Sequence, residues 1–174
     1  SRNNLTLTAF GGAQIDTSIK KFGSGAAYFD GDGDYILAPS NNNLVMGSGD
    51  FTVECWVYPI TTTNQDKQII SFAGSNAFGI GYQNNNSFGV TNTFVSWQLV
   101  GAIPPINQWS HVAVTRVSGT MRVFINGTIT AQDTIITNYT SPTNSIGGLA
   151  GYSWSNFNGY IDELRITKGI ARYT

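Results

Sequence analysis

The chain has 174 residues, of which 11% are charged and 13% aromatic, and its formal net charge is −1. This size suits one domain with a sizeable core, and so weak a charge argues against binding to nucleic acid or to an anionic membrane surface. No apolar run approaches the length of a membrane span, and no basic and apolar leader opens the sequence. The chain begins at Ser1 and not at methionine, so we expect residues 1–174 to be one domain of a larger protein.

Short strand patterns follow one another along the chain, and no segment has the apolar spacing of an amphipathic helix. In chain order the predicted strands are 26–29, 35–38, 51–58, 68–72, 78–82, 88–91, 94–100, 109–117, 120–125, 128–132, 146–148 and 159–167. Ser118-Gly119 and Asn126-Gly127 favour tight antiparallel hairpins, and Pro59 is predicted to end the strand before it. The spacing of strands and turns predicts an all-β fold, a jelly-roll sandwich of two antiparallel sheets.

Segment 51–58 places bulky residues on both of its alternating faces. Cys55, the only cysteine, shares the more apolar face and is predicted to be a small buried core residue, because one thiol cannot form a disulfide framework. Trp56 and Trp109 lie in strand patterns and are predicted to serve in packing. His111, the only histidine, has no Ser or Cys partner motif nearby, so a structural role in its strand is favoured over a catalytic one.

Four segments in this order carry a family resemblance. They are Phe29-Asp-Gly-Asp-Gly-Asp-Tyr-Ile36, Phe51-Thr-Val-Glu-Cys-Trp-Val-Tyr-Pro59, Trp109-Ser-His-Val-Ala-Val-Thr115 with Val123-Phe-Ile-Asn-Gly127, and Phe157-Asn-Gly-Tyr-Ile-Asp-Glu-Leu-Arg-Ile166. Together they resemble the laminin G-like domains of the concanavalin A-like lectin and glucanase superfamily, over about residues 22–173. The resemblance implies a jelly roll that serves as an extracellular recognition module for glycans or proteins. Residues 161–173 are also similar to such domains in bacteriophage tail and structural proteins.

The carboxylates of the chain argue against catalysis. Related glycoside hydrolases carry a Glu-x-Asp-x-x-Glu pattern on one strand, which places a nucleophile and an acid about 5 Å apart. Here the only glutamates are Glu54 and Glu163, on different predicted strands. Asp162 is adjacent to Glu163, so the two side chains would point to opposite faces of a regular strand. The sequence therefore predicts a protein that is not an enzyme, with glycoside hydrolysis as a disfavoured alternative.

The stretch Asp30-Gly-Asp-Gly-Asp34 places three carboxylates on alternate residues, which suggests either a metal loop or a tight turn. An EF-hand loop would need a glycine and a bidentate glutamate where this chain has Tyr35 and Asn41, so that motif is excluded. Aspartate and glycine are also ordinary turn residues, because Asp side chains accept hydrogen bonds from nearby backbone amides. The turn and the metal site both stay open.

The family resemblance implies a different metal geometry, a structural calcium ion held between an early loop and the last strand. The matching ligands are Asp30, Gly31 and Asp32 from the loop and Asp162 from the strand. This arrangement requires the two segments to be neighbours in one sheet. Asp34 is the weakest of the three loop carboxylates as a ligand, because the resemblance supports the earlier part of the loop.

Aromatic rings next to Asn and Gln side chains are typical of sugar-binding sites, since a ring packs on the C–H face of a sugar and an amide binds its hydroxyls. The candidate ligand-binding residues are Trp154, Tyr152, Trp97, Tyr82 and Asn85. The leading hypothesis is a non-catalytic module that binds a carbohydrate or a surface glycoprotein outside the cell or on a virion. The alternative is a structural or assembly domain of a tail fibre or surface protein, for which the parent protein would form a homo-oligomer.

Overall fold

Two seven-stranded antiparallel sheets pack against each other in the computed structural model, which describes residues 5–62, 66–74, 76–92 and 96–174. In spatial order, sheet 1 consists of β1 (Thr8–Phe10), β4 (Tyr35–Ala38), β13 (Thr143–Ile146), β6 (Lys67–Ala73), β7 (Phe78–Gln83), β8 (Ser87–Thr91) and β9 (Trp97–Gly101). Sheet 2 consists of β12 (Thr128–Thr134), β11 (Thr120–Ile125), β10 (Ser110–Val117), β5 (Phe51–Thr61), β14 (Asn158–Lys168), β3 (Ala26–Asp30) and β2 (Gln14–Asp16). The predicted all-β jelly-roll sandwich is confirmed.

Two short 3-10 turns, Asn42–Leu44 and Ser153–Ser155, complete the regular structure. Among the described residues, no helix is long and apolar enough to cross a membrane. The core lies between the sheets and is built from the inward positions of both. Its fully buried aliphatic and aromatic members include Phe29, Phe51, Val57, Ile69, Phe78, Tyr82, Phe88, Val90, Val114, Met121, Val123 and Phe157. Cys55 lies there as predicted, and burial raises the pKa of its thiol, so it is an inert core residue.

Most differences from the predicted strands occur at the ends of the sheets. β1 and β2 were not predicted, because each has three residues and mostly exposed side chains, which gives no burial pattern. β5 does not end at Pro59 but continues to Thr61. The pairing of β5 with β14 shifts register between Asn158 and Gly159, opposite Pro59. A proline is tolerated at such a bulge, because the missing N–H is not needed by the ladder. The first two residues of predicted strand 94–100 lie outside the described residues.

The outward face of the β7–β8 hairpin carries three buried glycines, Gly79, Gly81 and Gly89, which form a glycine floor. A side chain at Gly89 would collide with the carbonyl oxygen of Leu99 in β9, and one at Gly81 with the carbonyl of Lys67 in β6. These strands therefore approach each other more closely on this face than any other residue would allow.

Candidate functional site

The acidic loop, Asp30–Asp34, joins β3 to β4 and is organised by its own carboxylates. The Asp34 side chain is fully buried, and its oxygens accept hydrogen bonds from the backbone N–H of Asp30 at 2.8 Å and from that of Gly12. Asp30 in turn accepts a hydrogen bond from the N–H of Asp32 at 2.8 Å. Side-chain bonds of this kind are the usual way in which aspartate stabilises a turn. Two of the three carboxylates therefore hold the turn itself.

The structure does not bring Asp162 to the acidic loop. β3 and β14 are neighbours, as the resemblance implies, but the register pairs Asp30 with Asn158. Asp162 lies four residues further along β14, about 13 Å away at the usual rise of a strand. Its carboxylate accepts hydrogen bonds from the N–H groups of Lys21 at 3.0 Å and Phe22 at 2.9 Å. The predicted ligand set is therefore corrected, because the register of the ladder separates its two halves.

The remaining predicted ligands, Asp30, Gly31 and Asp32, do not fit a calcium site by themselves. Calcium takes six to eight oxygen ligands, and one oxygen of Asp30 already accepts a hydrogen bond from Asp32. In the part of the chain that the structure describes, no group of three or more His, Cys, Asp or Glu residues could hold a metal ion.

A groove opens between the acidic loop and segment 149–156, and one predicted ligand-binding residue, Tyr152, lines it while another, Trp154, contacts Tyr152. It encloses about 230 Å³. Its lining residues are Gly33, Tyr35, Gly151, Tyr152, Ser153 and Asn156. Tyr152 is 53% exposed, and its ring centroid lies 5.9 Å from that of Trp154, which is 36% exposed. The ring of Tyr35 is stacked on Phe10 with 4.7 Å between centroids. The groove therefore combines exposed aromatic surface with small polar groups and no charged lining residue.

Asn156 holds the two sides of the groove together. It is 1% exposed, its side-chain amide donates to the carbonyl of Asp34 at 2.8 Å, and its side-chain oxygen accepts from the N–H of Gly33 at 3.2 Å. On the other side, the buried hydroxyl of Ser155 donates to the carbonyl of Tyr152 at 3.1 Å. The shape of the groove is thus set by buried hydrogen bonds, which is the condition for a preformed ligand site.

Trp97 was also predicted to bind a ligand, and it contacts the carboxylate of Asp66, as does Asn84, the residue before the predicted Asn85. Trp97 is half-buried at the start of β9, and its indole N–H donates to one oxygen of Asp66 at 3.2 Å. The other oxygen accepts from the N–H of Asn84 at 2.8 Å. Asn85 is exposed at the tip of the β7–β8 hairpin and accepts a hydrogen bond from the hydroxyl of Ser87 at 2.7 Å. Both residues therefore lie on the surface, near one hairpin tip.

Tyr82 is a core residue, and its prediction as a ligand-binding residue is wrong. It is fully buried, with the rings of Phe88 and Phe157 at 5.2 and 6.0 Å. Burial raises the pKa of its hydroxyl. The physical reason is the alternation of β7, which places Tyr82 on the same inward face as Phe78 and Ile80. That alternation was the sequence signal against a surface role.

Glu54 forms a buried polar cluster that sequence reasoning missed. It is 2% exposed, and its carboxylate accepts hydrogen bonds from Arg165 at 2.8 Å and from the hydroxyl of Tyr173 at 2.6 Å, with His111 at 3.2 Å. Burial would raise the pKa of Glu54, but these hydrogen bonds and the charge of Arg165 lower it overall. Because its partners come from three segments, the carboxylate ties the C-terminal segment to the outward face of sheet 2. A lone outward glutamate in a strand gave no signal of this.

Trp56 and Trp109 are packing residues as predicted, but they pack on the outward face of sheet 2. The ring of Trp109 lies 5.6 Å from that of Tyr58, which in turn lies 5.8 Å from Tyr160. The amine of Lys21 lies 4.1 Å from the centre of the Trp56 ring, a cation–π geometry. Both tryptophans are half-buried. They lie on the other sheet from Trp97, which makes them useful comparison residues.

Known structures share this fold. Domain 4 of AbnA, a GH43 extracellular arabinanase from Geobacillus stearothermophilus, in complex with arabinotriose, aligns with a TM-score of 0.72 and 24% identity over 97% of this chain and 85% of that one. The binding domain of botulinum neurotoxin DC in complex with SialylT aligns with a TM-score of 0.69 and 18% identity, over 96% of this chain and 44% of that one. A heptameric SAP-like pentraxin from Limulus polyphemus aligns with a TM-score of 0.60 and 16% identity, over 80% and 73%.

At these identities the likeness shows the fold alone, and the chain spans less than half of the toxin binding domain. A comparison with curated proteins found no match. The family profile described as "Concanavalin A-like lectin/glucanases superfamily" matches residues 30–170, which is well over half of the chain. The two seven-stranded antiparallel sheets of the chain agree with that match. The chain therefore belongs to the concanavalin A-like lectin/glucanase superfamily.

Proposed function

We propose that the protein is a non-catalytic carbohydrate-binding module, and that its ligand occupies the groove between the acidic loop and segment 149–156. The observation that carries the proposal is the groove itself, an uncharged space of about 230 Å³ beside the exposed rings of Tyr152 and Trp154. Sugars are bound in this way because their C–H faces pack on aromatic rings while hydroxyls find backbone and small polar groups. The hydroxyl of Ser153 and the backbone of Gly151 provide such groups in the groove.

Two relatives support a carbohydrate ligand. Domain 4 of the arabinanase is in complex with arabinotriose, and the toxin binding domain with SialylT. The arabinanase is extracellular, and we propose an extracellular location for this chain as well. Catalysis is disfavoured, because the six residues that line the groove include no carboxylic acid, whereas glycoside hydrolysis normally uses a pair. The resemblance to bacteriophage tail domains, and with it a virion surface, stays a prediction.

The proposal is tested by binding to an array of neutral and charged glycans. We expect the wild-type chain to bind a subset of them and Tyr152→Ala to weaken that binding about tenfold, which is the effect of losing one well-packed ring. Trp109→Ala is the control, since it removes a half-buried ring from the outward face of sheet 2. Absence of binding by the wild-type chain, or equal binding by Tyr152→Ala, would refute the proposal and favour a structural domain without its own ligand.

A further inference from the structure

We infer that the groove is one end of a longer binding surface, and that Trp97 provides a second contact for the same ligand, an oligosaccharide chain of neutral sugars. The inference rests on the proposed function and adds the length and the charge of the ligand. Three observations carry it: the direction of the Trp97 ring, the role of Asp66, and the path of contacts between Trp97 and the groove.

The Trp97 side chain points away from the core. Trp97 pairs with Thr91 and Thr91 with Gly79, which belongs to the glycine floor on the outward face of sheet 1. The indole N–H reaches Asp66, the residue before β6, although β7 and β8 lie between β6 and β9 in the sheet. The ring therefore runs along the outward face of the hairpin. Its half-buried state means that part of the ring stays available to a ligand.

Asp66 is a positioning residue in this arrangement. One of its oxygens fixes the Trp97 ring and the other fixes the hairpin tip through the N–H of Asn84. The same carboxylate thus connects the ring to the hairpin tip. A ring that is already immobile loses little conformational entropy when a ligand packs on it, so this ring is suited to bind a sugar.

A path of contacts connects the groove to Trp97. Tyr152 lines the groove and contacts the ring of Trp154. The carbonyl of Trp154 accepts from the amine of Lys67 at 3.5 Å, and Lys67 follows Asp66 in the chain. Asp66 in turn holds Trp97. Tyr152 and Trp97 are the two ends of this path, with Trp154, Lys67 and Asp66 between them, so the ligand that matches both rings is a chain of sugars.

The charges along the path favour neutral sugars. Asp66 lies beside Trp97, and the exposed Asp32 is adjacent to Gly33 of the groove. Lys67 is the one cation on the path, and its amine is bound to the carbonyl of Trp154. A carboxylate on the ligand would therefore approach an acidic residue at each end, with little compensation.

The experiment measures dissociation constants by calorimetry for neutral oligosaccharides of one to six residues, starting with arabinose and the arabino-oligosaccharides and including each neutral series that the array reveals. We expect affinity to increase with chain length and then to level off. Trp97→Ala should weaken the longest oligosaccharide about threefold to tenfold but leave the monosaccharide unchanged, and Asp66→Asn should have a smaller effect in the same direction. Trp56→Ala on sheet 2 is the matched control, and thermal melting checks that each variant is folded.

The outcomes separate the two proposals. If the wild-type chain binds no glycan, neutral or charged, both the proposed function and this inference are overturned. If it binds charged glycans alone, only this inference is overturned. If glycans bind but affinity does not depend on chain length, or Trp97→Ala binds the longest chain like the wild type, only the second contact is overturned. If the chain prefers oligosaccharides that end in sialic acid to the same oligosaccharides without it, the inference that the ligand is neutral is overturned. If Trp97→Phe loses less affinity for the longest oligosaccharide than Trp97→Ala does, stacking on the aromatic ring is supported as the cause.

Discussion

Replacing Tyr82 by phenylalanine should stabilise the protein, although Tyr82 is one of the most deeply buried side chains. Its hydroxyl has no hydrogen-bond partner within the described residues, and its ring is fully buried. An unpaired buried hydroxyl costs about 1–3 kcal/mol, because it loses its hydrogen bonds to water on folding. Phenylalanine keeps the ring contacts with Phe88 and Phe157 and leaves a small void, which offsets part of the gain. We expect the free energy of unfolding to rise by about 1 kcal/mol, which corresponds to about 2–4 °C in Tm for a chain of this size.

Tyr139 provides the matched comparison for this measurement. It is 1% exposed, and its hydroxyl donates to the side-chain oxygen of Gln98 at 2.6 Å. Burial raises the pKa of Tyr139 to about 12, so the hydroxyl stays protonated and keeps donating. Tyr139→Phe should lower the free energy of unfolding by about 1–3 kcal/mol, because Gln98 loses a partner. Urea and thermal unfolding of both variants should therefore show that removal of one tyrosine hydroxyl raises the free energy of unfolding at position 82 and lowers it at position 139. A Tyr82→Phe variant that melts at or below the wild-type temperature would refute the reasoning.

Three further predictions concern other parts of the chain. Burial raises the pKa of Glu54, but hydrogen bonds from Tyr173 and Arg165 lower it below the ordinary 4.5. The ionised Glu54 carboxylate therefore stabilises the folded state above that pH, and this stabilisation is lost as the pH falls. Glu54→Gln should cost about 2 kcal/mol at neutral pH and flatten the acid side of a plot of Tm against pH; an unchanged profile would contradict the cluster. Asn156→Ala should lower the free energy of unfolding by about 2 kcal/mol and weaken glycan binding. If the variant binds glycans like the wild type, the groove does not need the Asn156 side chain. Melting with calcium and with a chelator should give the same midpoint, and a rise with calcium would show bound metal.

The fold could be predicted because its signals are local. In β5 the inward residues Phe51, Val53 and Val57 alternate with outward ones, and one strand is enough to recognise that pattern. The same rule, applied to β7, would have placed Tyr82 in the core. Alternation was less informative in β10, where Arg116 takes an inward position and is fully buried. Its guanidinium donates to backbone carbonyls of residues 47, 49 and 137, partners that no local pattern indicates.

The candidate site was predicted only in part, because its assembly depends on register. The exposure of Tyr152 and Trp154 could be predicted from composition, because they lie in a polar loop, and their role in binding stays a prediction. The position of Asp162 could not be found in this way. The ladder between β14 and β3 is regular and pairs Asp30 with Asn158. Alternation alone does not fix such a register, because a shift of two residues leaves every side chain on the same face of the sheet. The prediction that β3 and β14 are neighbours was therefore right, but Asn158 and not Asp162 lies opposite Asp30.

Asp34 connects the acidic loop to the proposed ligand site. The resemblance made it the weakest of the three carboxylates as a metal ligand, yet it is the one that is fully buried. Its side chain holds the N–H groups of Asp30 and Gly12, and its carbonyl accepts the amide of Asn156 at 2.8 Å. The buried carboxylate therefore fixes the loop, and the loop fixes one side of the groove. An alternating Asp-Gly sequence can in this way shape one side of a groove through turn chemistry, because its carboxylates accept hydrogen bonds from backbone N–H groups.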